Sequence, residues 1–113
     1  MISSVLAMAL AAAAPGPSDA LPKARKAYTA CLGAFLKKGL KDNLDGDAFD
    51  AAIGPACAAQ EAAFRAAAVA TDTAAGIKRA DAEEGAKMEV EDMLLNNKEQ
   101  YKDYKATSTK PPA

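Results

Sequence analysis

Residues 21–40 read LPKARKAYTACLGAFLKKGL, and the spacing within them decides the fold. The larger apolar side chains fall at Tyr28, Cys31, Leu32, Phe35, Leu36 and Leu40. That is the i, i+3, i+4, i+7, i+8 series which lines one face of an α-helix. A first helix is therefore expected over residues 21–40. Pro22 sits in its first turn, where a missing N–H costs nothing, and Gly39 supplies a stop signal near its end.

Downstream, residues 40–46 read as a linker. Asp47 followed three residues later by Asp50 resembles a capping box with Asp in both roles, so a second helix is expected to begin near Asp47. Phe49, Ile53, Cys57 and Phe64 continue its apolar face. Gly54-Pro55 should kink it within its first two turns, because proline removes one backbone bond and disfavours helical geometry in the residue before it. Pro55 to Ala75 contains eleven alanines, so helix propensity is high even where large side chains run out. Thr71-Asp72-Thr73 and Gly76 weaken the pattern. A third helix is expected from Ile77 or Arg79 to Tyr104, carrying Met88, Met93, Leu94, Leu95 and Tyr101, and the sequence leaves open whether it is continuous with the second through Gly76. The tail from Thr107 to Ala113 has no large apolar residue to dock and is expected to be disordered. The expected fold is all-α: an antiparallel helical hairpin plus a third helix, forming a three-helix bundle over residues 21–106.

Hairpin arithmetic brings the two cysteines together. Cys31 precedes Gly39 by eight residues and Cys57 follows Asp47 by ten, so at about 1.5 Å per residue they lie about 12 and 15 Å from the turn. Both fall on apolar stripes, and a Cys31–Cys57 disulfide is expected. They form no C-x-x-C motif, and a two-cysteine zinc site would need further ligands in a chain that has no histidine.

Upstream, Ile2 to Ala14 is an uncharged apolar run ended by Pro15-Gly16-Pro17. Thirteen residues are few for a membrane span but suit the apolar core of a secretory signal peptide, and Ala9-Leu10-Ala11, Ala12-Ala13-Ala14 and Ser18-Asp19-Ala20 all offer cleavage sites. Residues 1–20 are thus read as a signal peptide, although its start lacks the usual Lys or Arg. The expected location is periplasmic or secreted, with no stable membrane insertion after signal removal. An even cysteine count fits an oxidising compartment.

Half of the 113 residues are hydrophobic, but 30 of them are alanine, and beyond residue 20 only 21 larger apolar residues and cysteines remain. One small, thin core is all this can build. Fourteen Lys and Arg against 15 Asp and Glu give no nucleic-acid footprint. The distribution is uneven, however. Residues 23–41 hold six basic residues and no acid, whereas residues 81–92 hold six acids against Lys87 alone. These two segments are expected to lie side by side.

The absence of histidine removes Ser-His and Cys-His pairings and the commonest metal ligand. Asp42, Asp45, Asp47 and Asp50 are the candidate divalent-cation residues. The calcium-loop register fails, since Lys41 would stand at its first position and Ala52 at its twelfth, and the same residues serve equally as a turn and helix cap. Glu83, Glu84, Glu89, Glu91 and Asp92 are the carboxylates a carboxylate-based enzyme would use, and a solvated helix face accounts for them equally. No phosphate-binding motif occurs, and no cofactor is expected. Tyr101 and Tyr104, flanked by Lys98, Lys102 and Lys105, are candidate partner contacts, with packing against the first helix as the alternative. The functional expectation is a non-catalytic, exported helical accessory or protein-interaction protein with an envelope protein partner or self-association. A cation-binding protein and a carboxylate enzyme are the rivals. The layout is similar to that of small bacterial envelope proteins, a likeness of composition that carries no site residues.

Overall fold

A computed structural model describes residues 17–112, which form four helices: α1 (Pro17–Lys41), α2 (Gly46–Ala56), α3 (Ala58–Ala74) and α4 (Arg79–Thr107). The apolar run Ile2 to Ala14 lies outside the described residues. α1 begins about one turn before Leu21, so Pro22 lies inside the helix rather than at its start.

α1 buries Tyr28, Leu32 and Leu36, as its spacing requires, and Cys31 and Phe35 pack on the flank of that stripe. Gly39 is not its stop. The helix runs on to Lys41, and Asn43, in the left-handed conformation (φ 52°), closes it. Leu44 N–H then donates to Gly39 C=O at 2.9 Å, as in a Schellman cap. Gly39 is needed for a different reason: a Cβ there would lie 3.1 Å from both the Phe49 and Tyr101 rings.

The expected second helix is two helices, so the described residues form four where three were expected. α2 starts at Gly46, and its N-cap is Asp45, whose carboxylate accepts from Ala48 N–H at 2.8 Å. Asp47, expected to cap, lies in the first turn. The direction change falls at Cys57 rather than within the first two turns. Pro55 lacks the N–H that would hold the last turn, and Cys57 (φ −119°, ψ 28°) ends α2 and begins α3. α3 in turn is separated from α4, because Gly76 at φ 92° occupies the left-handed position that ends a helix, and Ile77 N–H closes the cap on Asp72 C=O at 3.0 Å.

Cys31 and Cys57 are disulfide-bonded with their Cα atoms 6.0 Å apart. The bridge ties the middle of α1 to the α2–α3 junction, and Cys57 is fully buried. By the chain-entropy model a loop of this length contributes about 3.5 kcal/mol. α3 then runs antiparallel to α1, with the Tyr28 and Phe64 rings 5.9 Å apart. α4 runs parallel to α1, since Arg25 meets Glu89 near one end and Gly39 meets Tyr101 near the other. The bundle is therefore up-down-up, with the downward stroke broken at Cys57.

Candidate functional site

At one end of the bundle α4 clamps the α1–α2 turn. Tyr101 is fully buried, stacks on Phe49 with ring centroids 3.8 Å apart, and its hydroxyl donates to the carbonyls of Gly39 and Leu44. One turn on, Lys105 donates to Asn43 Oδ1 at 3.0 Å and to Leu44 C=O at 2.9 Å. These bonds supply donors to the linker carbonyl of Leu44 and add to the Leu44 N–H that already caps the Gly39 carbonyl. Burial, and secondarily the Asp45 carboxylate, push the Tyr101 hydroxyl above its ordinary pKa. Tyr101 consequently offers no surface to a partner. Tyr104 is half-buried and packs against the core. The clamp has a sequence signal that composition hides: Tyr101 and Lys105 stand four apart, on one helix face.

The four aspartates are placed differently from one another. Asp42 and Asp47 are exposed, Asp45 is engaged as the α2 cap, and Asp50 is half-buried with Oδ1 out of reach of any hydrogen-bond donor. Among the described residues no group of three or more His, Cys, Asp or Glu is arranged to hold a metal ion. The acids of α4 also diverge. Glu83 pairs with Arg79 of its own helix at 3.0 Å, Glu89 reaches across to Arg25 at 2.7 Å, and Glu84, Glu91 and Asp92 point to solvent.

The Arg25–Glu89 pair joins the basic and acidic segments, but only at one level. Because α1 and α4 are parallel, Lys37 and Lys38 sit near the level of Tyr101, beyond the acidic stretch, and both are exposed.

The outer face of α4 is the surface the sequence did not single out. Its buried side is made of Ala82, Ala86, Val90 and Tyr101. With that side turned inward, Met88 and Leu95 face water at 56% and 55% exposure. They are seven residues apart, two turns on one face, and the exposed acids Asp81, Glu84, Glu91, Asp92 and Glu99 flank them. An apolar pair in an acidic surround suits contact with a basic, partly apolar surface far better than it suits water.

Two of the surface grooves among the described residues lie elsewhere. One of about 500 Å³ is lined by Lys37, Leu40, Lys41, Lys110 and Pro111, which places the chain after α4 beside the end of α1. The other, about 470 Å³, runs between α3 and α4 past Arg65 and Arg79, each already paired with a glutamate of its own helix. No described helix is long and apolar enough to cross a membrane. Comparison with protein-family models, curated proteins and solved structures returns no match.

Proposed function

We propose that this chain is a non-catalytic accessory protein, periplasmic or secreted, that holds a protein partner against the outer face of α4. The observation that carries the reading is the exposed pair Met88 and Leu95 flanked by Asp81, Glu84, Glu91, Asp92 and Glu99, with Lys98 and Lys102 beyond Leu95. Met93, Leu94 and Tyr101 of the same helix pack inward, so the large apolar side chains of Met88 and Leu95 are held outward by the fold, and a partner would cover them. The Cys31–Cys57 bridge supports an oxidising compartment. Removal of residues 1–20 as a signal peptide belongs to the same proposal, and intact mass of protein from expressing cells tests it: the mature chain should lack Ile2 to Ala14.

The interaction reading is tested by replacing Met88 and Leu95 with serine. Both are exposed, so melting should move by less than about 0.5 kcal/mol while capture of an envelope partner is lost. Screening the same protein against hydrolase substrates and divalent ions covers the rivals. Reproducible turnover lost on Glu83→Gln or Glu84→Gln, with nothing captured, would overturn the reading. So would a calcium-dependent rise in stability, which reaches about 2.7 kcal/mol at a hundredfold excess over the dissociation constant.

A further inference from the structure

We infer that the partner on the outer face of α4 is a second copy of this chain, docking through the outer face of its α1. The inference rests on the interaction reading above and adds the identity of the occupant.

The outer face of α1 is complementary in charge and in shape. Lys23, Lys26, Lys37, Lys38 and Lys41 are exposed along it, and α1 has no acid beyond Asp19 near its start. Between the lysines the face is small: Ala27, Ala30 and Ala34 are exposed, and they leave room for protruding side chains. Ala27 and Ala34 are seven residues apart, as are Met88 and Leu95, so both pairs span about 10.5 Å along their helices.

Laying α1 of one copy antiparallel on α4 of another, with Ala34 against Met88 and Ala27 against Leu95, fixes every other level. Lys23 then faces Glu99, Lys38 faces Glu84 and Lys41 faces Asp81, against a single like-charge level, Asp19 opposite Asp103. The parallel register swaps the apolar pairs to Ala27 against Met88 and Ala34 against Leu95; it keeps Lys23 opposite Glu84 and Lys38 opposite Glu99 but sets Lys26 against Lys87, Lys37 against Lys98 and Lys41 against Lys102, three like-charge levels that disfavour it. Charge therefore selects orientation while the two apolar knobs provide the contact. Within one molecule α1 and α4 are parallel neighbours whose outer faces both point away from the core, so this contact is available only between copies. The two surfaces differ, so each docking event leaves one of each unused, and association proceeds to a series of oligomers unless a ring closes.

Sedimentation of the mature chain from micromolar to millimolar concentration should show weight-average mass rising with concentration. The association constant should fall roughly tenfold or more between low salt and about 1 M salt, where the Debye length is near 3 Å. The decisive experiment is a charge swap. Lys23→Glu with Lys38→Glu makes one variant, and Glu84→Lys with Glu99→Lys makes the other. All four positions are exposed, and unchanged circular dichroism and melting verify the fold. Each variant alone should remain monomeric, and an equimolar mixture should associate as the wild type does. A wild type that is monomeric throughout, or variants that associate singly as well as the wild type, would overturn the inference. If the wild-type monomer instead binds a basic amphipathic peptide and loses it on Met88→Ser, the interaction reading stands and the second copy is wrong as its occupant. Turnover without either association removes both.

Discussion

The two ends of the bundle are built from different materials. At the end holding the α1–α2 turn, Phe35, Phe49 and Tyr101 form a run of ring contacts, Ile53 is fully buried beside them, and two side chains of α4 bind turn carbonyls. At the opposite end, where α3 passes to α4, the buried residues are Ala68, Ala82 and Ala86, Leu21 and Val69 are only partly buried, and Ile77 is 45% exposed. Both ends are helix on helix, yet they are held by different means. Bulky side chains secure position by interlocking, and each contributes about 1.5–3 kcal/mol on burial. Alanines let axes approach but bury little apiece, so the alanine end depends on its connection to the aromatic end and to the bridge between Cys31 and Cys57.

That contrast is open to direct challenge. Tyr101→Ala should be the most damaging single change, because it removes a stacked ring and the hydroxyl that binds the carbonyls of Gly39 and Leu44. A loss of about 4 kcal/mol is expected, seen as a melting temperature lower by roughly 15 °C or more. The bridge between the two ends comes next: Cys31→Ala, or reduction of the native protein, should cost about 3.5 kcal/mol in chemical denaturation. At the alanine end Ala82→Gly should cost only about 1 kcal/mol, chiefly through helix propensity. Were Ala82→Gly to match Tyr101→Ala in a urea titration, the division into two kinds of end would be wrong.

The smallest effect at neutral pH concerns Tyr28, whose hydroxyl is buried with no partner in hydrogen-bonding geometry. Burial first, and the Glu61 carboxylate second, push its pKa up to about 12. A folded-state value above that of the unfolded chain means the stabilising contribution is intact below about pH 10. It is lost as pH rises through about 12. Tyr28→Phe should leave stability near pH 7 almost unchanged and should move the alkaline unfolding midpoint upward. A midpoint that does not move would mean Tyr28 is not the group that titrates.

Legibility in the sequence followed side-chain size. The stripe through Tyr28, Leu32 and Leu36 was readable because large apolar residues recur at helical spacing, and the Cys31–Cys57 pairing followed from counting residues on either side of a short turn. The facing of α4 was not legible, because its larger apolar residues divide between two faces. Met93, Leu94 and Tyr101 pack inward with Ala82, Ala86 and Val90, whereas Met88 and Leu95 are turned out. Cys57 was readable as a bridge partner and not as a helix boundary, because Pro55 signals a disturbance without fixing where it falls. The surrounding of Met88 and Leu95 by acids became visible only with α4 in place. The cap at Asp45 was missed because Asp47 with Asp50 offered the more familiar spacing.

The clamp at Tyr101 joins positions 57 and 62 residues apart in the chain, and this has a consequence for the order of events during synthesis. The chain emerges from its N-terminus, so α1, α2 and α3 are complete, and Cys31 and Cys57 can meet, before Tyr101 and Lys105 exist. Until then the Leu44 carbonyl remains in water, the Gly39 carbonyl has only the Leu44 N–H of its own cap, and the ring of Phe49 has an open side. The arrival of the last two turns of α4 completes the turn that began the hairpin, so the final residues of the domain close a structure started by its first half.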